Sequence, residues 1–199
     1  MSVSAQGIPE RQGHPGGGVV HGIKTNTLYD VFTIPSLGYE RSIGDSFSAG
    51  INLHYAWWKS LPRKWYNQTY GGEIYGRWWF GETASGQKLS GHHLGAYVQA
   101  ITYDIEYGGR GQQARRPNWA IGVEYGHSFP IAPHLNLDLA LGVGYLFGKY
   151  EEYTPQHTHF VWEATYMRSW FGPTRAEISL VWLIGNDPLF WDSHRKKKK

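Results

Sequence analysis

The stretch Leu135-Asn-Leu-Asp-Leu-Ala-Leu-Gly-Val-Gly-Tyr-Leu-Phe147 decides the fold of this 199-residue chain. Large apolar residues occupy every second position, and small or polar residues fill the positions between them as far as Gly144. Successive side chains of a β-strand point to opposite faces of a sheet. The period of two therefore predicts a strand with one apolar face and one small or polar face.

Seven further segments share this alternation to varying degrees, and no helical period is sustained anywhere in the chain. They span residues 20–32, 36–43, 47–57, 69–80, 93–107, 119–128 and 175–184. Eight such segments in one domain predict an all-β fold, an eight-stranded antiparallel up-and-down transmembrane β-barrel.

The connections between these segments alternate in length. Short or moderate turns are predicted on one side and long loops on the other, an arrangement typical of outer-membrane barrels with short periplasmic turns and long external loops. An even number of strands then places both termini on the periplasmic side. The turns are 43–46, 82–91 and 130–134, and the long loops are 59–68, 108–118 and 150–173.

Periodicity alone does not say which face points outward, so a soluble β-barrel that binds an apolar ligand is an alternative. The face opposite the large apolar residues is mainly Gly, Ala, Ser and Asn, whereas a water-exposed face would carry more Lys and Glu. Aromatic residues such as Trp57, Trp78, Trp119 and Tyr145 lie near segment ends, as in the interfacial belts of membrane proteins. Both features favour a barrel in the bacterial outer membrane.

The composition excludes several classes of protein. Cysteine is absent, which excludes disulfides and thiolate metal sites. No run approaches the roughly 18–20 apolar residues of a transmembrane helix. The formal net charge is +3, but five basic residues lie in Arg195–Lys199, so the rest of the chain carries −2. A nucleic-acid partner is therefore not expected. No cofactor is expected either.

The domain organisation predicted is a flexible leader at 1–18, a β-barrel at 19–186 and a basic C-terminal tail at 187–199. Val3-Ser4-Ala5 in the leader resembles a signal-peptidase site, although a basic and apolar region before it is missing. The tail is expected to be solvated, and contact with anionic headgroups is the alternative.

Eight charged residues fall on the small, inward face of the predicted barrel. Charges in a narrow lumen must be paired, so we predict a luminal salt-bridge network that fills the barrel, with a narrow proton or ion path as the alternative. These residues are Lys24, Asp30, Glu40, Glu73, Arg77, Glu124, Asp138 and Glu177.

Other candidate residues lie outside this network. External-loop contacts are predicted for Arg110, Arg115, Arg116, His157, His159 and Trp162, with the arginines facing lipopolysaccharide phosphates. His157 and His159, with nearby glutamates, could hold a divalent metal, but they are expected to be ordinary polar loop residues. His93 with Ser90, or His54 with Ser48, are the candidates for a lipid A-modifying enzyme, without a clear acidic third member.

An ordered series of short motifs runs through the predicted barrel. The motifs include KTNTLYD at 24–30, LGYE at 37–40, YAWW at 55–58, YGGE at 70–73, RWWF at 77–80, GHHL at 91–94, TYD at 102–104, GGRG at 108–111, YEEY at 150–153 and WFGPTRAE at 170–177. This series resembles the uncharacterised Bacteroidetes domain-of-unknown-function family 3575 over about residues 20–186. The resemblance implies exported outer-membrane-type β proteins, often encoded near surface-structure genes, and it implies no catalytic residue.

The function expected from these features is a structural or interaction role at the cell surface. Loop presentation, adhesion and assembly of a surface appendage are all compatible with it, since binding functions usually reside in loops on a rigid scaffold. The expected partners are outer-membrane lipid and lipopolysaccharide, together with a surface-appendage or envelope protein. The lipid A-modifying enzyme and the soluble barrel are the alternatives.

Overall fold

A computed structural model of the chain describes residues 18–60, 65–80, 87–107, 110–156 and 159–185. The described residues form eight strands and one short helix. In chain order they are β1 (His21–Asn26), α1 (Thr27–Val31), β2 (Ser36–Ile43), β3 (Phe47–Ser60), β4 (Trp65–Phe80), β5 (Gly91–Tyr107), β6 (Arg110–Ala132), β7 (Leu135–Gln156) and β8 (His159–Ile184).

The strands form a closed barrel in which each strand pairs antiparallel with its neighbour in the chain. The ring closes because β8 also pairs with β1, with Ile184 opposite His21. The predicted all-β, eight-stranded, antiparallel up-and-down barrel is therefore confirmed. Within the described part of the chain, no helix is long and apolar enough to cross a lipid bilayer.

Two of the three connections at one end of the barrel are short, as predicted, and the connection between β4 and β5 is longer, also as predicted. Gly44, with a φ of 64°, turns β2 into β3, and only Pro133 and His134 separate β6 from β7. We refer to this end as the turn end and to the opposite end as the hairpin end.

At the hairpin end the observed connections differ from the predicted long loops. Most of the residues at 59–68, 108–118 and 150–173 are paired strand, since β6 begins at Arg110 and β7 continues to Gln156. Pairing satisfies backbone donors and acceptors that a loop would leave to water. The long loops are thus extensions of the β-hairpins.

The wall of the barrel is strongly uneven in height. β8 has 26 residues and β6 has 23, whereas β1 has 6 and β2 has 8. The tall strands therefore rise above the low side, where α1 connects β1 to β2.

The two faces of the barrel wall have opposite chemistry. On β7, the outward residues Leu139, Leu141 and Val143 are 38–59% exposed, while inward Asn136 and Asp138 are buried. Aromatic residues gather on the outside at two levels. Towards the turn end they include Phe47, Trp78, Phe129 and Trp182, and towards the hairpin end they include Tyr55, Trp57, Trp119, Tyr145, Phe147 and Phe171.

An apolar cluster closes the lumen at the turn end. It consists of Val20, Trp79, Leu89, Val181 and Leu183. Leu89 lies in the connection before β5, and inward-facing Asn136 donates a hydrogen bond through Nδ2 to its carbonyl oxygen at 2.9 Å. This hydrogen bond holds the connection against the inside of the barrel, and the Leu89 side chain packs in the apolar cluster at that end of the lumen.

Candidate functional site

Seven of the eight charged residues predicted to face the lumen are buried inside the barrel. They are Lys24, Glu40, Glu73, Arg77, Glu124, Asp138 and Glu177. The prediction for Asp30 is wrong. The chain leaves the sheet after Asn26, so Asp30 lies in α1, where its exposed carboxylate accepts a hydrogen bond from Thr25 Oγ1 at 2.8 Å.

Arg77 is the centre of the luminal charge cluster. Its guanidinium contacts four carboxylates that come from four different strands. The contacts are Nε to Glu124 Oε1 at 2.7 Å, Nη1 to Asp138 Oδ2 at 2.7 Å and to Glu40 Oε2 at 3.0 Å, and Nη2 to Glu177 Oε2 at 2.9 Å. The planar guanidinium, with five donors, suits this divergent arrangement better than an ammonium group would.

Arg175 and Lys24 complete the cations of the cluster. Arg175 pairs with Glu124, with Glu73 at 2.6 Å and with Glu177 at 2.7 Å. Lys24 pairs with Glu177 at 2.7 Å. Arg175 was not predicted, although it lies two residues before Glu177 and hence on the same face of β8.

Aromatic rings fill the space between these cations. Lys24 Nζ, Arg77 Cζ and Arg175 Cζ lie 4.4, 4.7 and 4.9 Å from the centre of the Tyr75 ring. The Tyr75 hydroxyl also donates to Glu40 at 3.0 Å. Gly50 faces this ring so closely that a methyl group there would overlap it. Small inward residues therefore make the room that the large polar side chains need.

The charges in the cluster do not balance. The cluster contains five carboxyl side chains and three Lys or Arg side chains, a formal excess of two negative charges. His93 lies at the edge of the cluster, with Nε2 2.9 Å from Asp138 Oδ1. A proton on this imidazole would reduce the excess. The carboxylates and the imidazole of this cluster can bind protons, and the ion pairs connect strands across the lumen. The buried Arg77 side chain obstructs the lumen.

Two cavities lie between the cluster and the hairpin end. A small inner cavity of about 20 Å³ borders Lys24, Glu73 and Arg175. A wider cavity of about 500 Å³, which we call the cup, lies among the inward residues of the tall strands. Tyr29 of α1 and Gln99 line both cavities and so lie between them. Burial raises the pKa of the Tyr29 phenol to about 12, which keeps it protonated at neutral pH.

The two pairs predicted for a lipid A-modifying enzyme both lie inside the barrel. His93 is fully buried beside Asp138 and the Trp79 ring, whose centre is 4.7 Å away. His54 packs against Tyr29, and Ser48 donates its hydroxyl proton to Glu40. Neither histidine therefore faces the outer surface, where a lipid substrate would have to bind.

The predicted external contacts lie on the hairpin side. Arg110, Arg115 and Arg116 are exposed on β6, and Arg115 Nε is 3.3 Å from Glu151 Oε2. His159 and Trp162 lie in β8 opposite Gln156 and Tyr153, and His157 falls outside the described residues. Within the described part of the chain, no group of three His, Asp or Glu side chains is placed to hold a metal ion.

Comparison with known proteins gives a family and one similar structure. The model of the family described as "Protein of unknown function (DUF3575)" matches residues 6–184. The crystal structure of Neisserial surface protein A (NspA) is similar at 15% sequence identity with a TM-score of 0.39, over 84% of this chain and 92% of NspA. No curated protein sequence matches the chain.

Proposed function

The chain belongs to the DUF3575 family, whose description assigns no activity, and we propose that it is an outer-membrane β-barrel with a structural or interaction role. Its termini lie on the periplasmic side, and its tall hairpins project from the cell surface. The observation that carries this proposal is the combination of an apolar outer wall with a lumen filled by charged residues.

The apolar outer wall supports the membrane location. Residues such as Leu141, Val123 and Ile74 are 59–64% exposed and lie on three strands of the wall. Soluble monomers rarely expose contiguous apolar patches larger than a few hundred Å², whereas this surface continues around the barrel. Lipid is the environment that matches an apolar exterior and a polar interior.

The height of the apolar wall also suits a bilayer. On β7 the outward apolar positions run from Leu135 to Phe147, close to the roughly 9–11 tilted residues that span a membrane. Exposed charge begins just beyond them, at Lys149 on β7 and at Arg116 on the neighbouring β6. On this placement Arg115 and Arg116 lie at the level of lipopolysaccharide phosphates, which guanidinium groups bind well.

The tall hairpins supply the surface for an interaction role. β6, β7 and β8 have 22–26 residues, and a membrane span uses only about 10 of them. At about 3.3 Å per residue, the remainder extends on the order of 30 Å or more along the strand direction. A rigid projecting wall of this size can present residues to an envelope protein, a surface appendage or another cell.

Location and orientation are tested together by labelling single cysteines in intact cells. Met167→Cys places a thiol on the projecting part of β8, at a side chain that is 81% exposed, and Asp45→Cys places one in a turn at the opposite end, at a side chain that is 90% exposed. We expect a membrane-impermeant maleimide to label Met167→Cys in whole cells, and Asp45→Cys only after the outer membrane is permeabilised. Recovery of the protein in the soluble fraction, or the reverse labelling pattern, would contradict the proposal.

The interaction role is tested by shortening the β7–β8 hairpin. A variant in which Gly148 and Arg168, which lie opposite each other, are joined by a short turn keeps the barrel below. Pull-down from native membranes is compared for this variant and the unmodified chain. A partner or lipopolysaccharide retained only by the full hairpin supports the interaction role, whereas identical recovery for both proteins contradicts it.

A further inference from the structure

The cup is a cavity that none of the residues of the luminal charge cluster lines. Its volume of about 500 Å³ falls within the roughly 300–1,000 Å³ of ligand pockets. Tyr29 and Gln99 form its lower boundary, and inward residues of β4 to β8 form its wall.

One cation borders this cavity. Arg168 of β8 is the single charged residue among the described residues that line the cup. Its guanidinium carbon lies 4.7 Å from the centre of the Tyr150 ring and 5.6 Å from that of the Tyr103 ring. The rings hold the guanidinium by cation–π contact.

The N–H groups of Arg168 have no acceptor among the described side chains. No ion pair or hydrogen bond joins Arg168 to a carboxylate there, in contrast to Arg77 and Arg175 below it. A guanidinium held by aromatic rings, with unused donors, is suited to bind a carboxylate through two parallel hydrogen bonds. A ligand group that pairs with the Arg168 guanidinium must therefore be negatively charged.

The rest of the cup favours an apolar body with a few polar contacts. Ile101, Leu146, Trp170 and Pro173 supply apolar surface. Thr69 and Gln99 supply hydroxyl and amide groups, both on inward positions that are buried. A mostly apolar lining with a small number of placed polar groups is the usual composition of a small-molecule site.

We propose that the cup binds a small organic acid with an apolar body, whose carboxylate pairs with Arg168 and whose apolar part packs on Leu146 and Trp170. Anionic selectivity comes from Arg168, because Tyr29 and Gln99 separate the cup from the carboxylates of the charge cluster. The site goes beyond the proposed structural or interaction role and does not depend on which medium surrounds the barrel.

The test uses the purified full-length chain in lipid nanodiscs and the probe 4-phenylbutyrate, with its uncharged analogue 4-phenylbutyramide as the matched ligand. We expect saturable binding of the acid by calorimetry or ligand-detected NMR, and weaker binding of the amide. In Arg168→Gln the affinity for the acid falls about tenfold or more, as expected for the loss of a charge-assisted hydrogen-bonded pair, while the affinity for the amide is unchanged.

Two further variants separate the site from general effects of charge and fold. Arg41→Gln removes an exposed arginine of β2 that does not line the cup, and it should bind the acid like the unmodified protein. Leu146→Trp fills the cup and should weaken binding of both probes. Equal affinity of Arg168→Gln and the unmodified protein for the acid, or binding by empty nanodiscs alone, would overturn the proposal. Either result would leave the labelling test of membrane location unaffected.

Discussion

Arg77 on β4 and Asp138 on β7 meet across the lumen, with Nη1 of the guanidinium 2.7 Å from Oδ2 of the carboxylate. The two strands are separated by β5 and β6 in the ring. Contacts of this kind connect distant parts of the wall directly through the interior. The barrel is therefore held by its polar core as well as by its strand ladder.

The first prediction concerns the central cation. Arg77→Met leaves four buried carboxylates without their common partner, so we expect it to reduce the free energy of unfolding by about 3–5 kcal/mol. Asp138→Asn removes one carboxylate from a cluster that has two in excess and keeps an oxygen acceptor, so its cost should be about 1 kcal/mol. Urea unfolding of the barrel in lipid vesicles measures both. Equal losses for the two variants would argue against the central role of Arg77.

The second prediction concerns the outer wall. Leu139→Arg places a cation at mid-height on the apolar exterior and should cost on the order of 2–4 kcal/mol in a bilayer. Met167→Arg, on the projecting part of β8, is the matched control and should cost less than about 1 kcal/mol because its side chain meets water. The same unfolding assay compares them. Equal effects would be inconsistent with lipid around Leu139.

The third prediction concerns the space beside Tyr75. Gly50→Ala adds a methyl group that overlaps the Tyr75 ring, and overpacking of this kind typically costs about 1–3 kcal/mol. Gly76→Ala is the control, since the nearest atom to its added methyl group is the Ser48 carbonyl oxygen at 3.8 Å. Thermal unfolding should separate the two variants. A neutral Gly50→Ala would mean that the ring can move away from its cations at no cost.

The fourth prediction concerns transport through the lumen. Arg77 is fully buried among carboxylates, and the apolar cluster around Leu89 seals the turn end, so we expect no stable porin-like conductance in planar bilayers. Long recordings with purified protein at several voltages measure this. Reproducible unitary steps that change in Arg77→Met would contradict a filled lumen.

The alternation of residue types predicts the number of strands and which residues share a face, and the composition of the two faces predicts which of them points outward. It predicted the strand at 36–43 with the observed bounds, and it placed seven luminal charges on the inward face. This worked because a period of two assigns a face to every residue once one strand is oriented. The stretches without alternation, which lie between the periodic segments, predict where the turn-end connections are.

Sequence patterning failed where the chain leaves the regular alternation. The pattern predicts Asp30 in the lumen because α1 is only five residues long and interrupts a segment with the pattern of a strand. It predicts loops for the upper parts of β6, β7 and β8 because register irregularities, such as that between Gln113 and Trp119, break the period of two. The upper parts of these strands remain in the sheet because they pair with neighbouring strands. The sequence of a single strand does not show which residues it pairs with.

The local sequence pattern also does not predict Arg175 as part of the charge cluster, or the residues that form the cup. Arg175 lies at the start of the periodic segment of β8, where the register with β7 shifts between Gly142 and Val143. Arg168 and Tyr103 lie 65 residues apart in the sequence, and they are in contact because both lie on strands that extend above the low side of the barrel. No local motif could have predicted that contact.

The claim that the outer wall meets lipid is tested most directly by spin labels along β7. The sequence contains no cysteine, so single variants Leu137→Cys, Leu139→Cys, Leu141→Cys and Val143→Cys can be labelled without background and compared with Ala140→Cys on the inward face. In bilayers we expect labels at the four outward positions to be accessible to oxygen and shielded from a water-soluble nickel complex, with a period of two along the strand. High accessibility of those outward labels to the nickel complex would show that the apolar wall faces water, and it would contradict the membrane barrel.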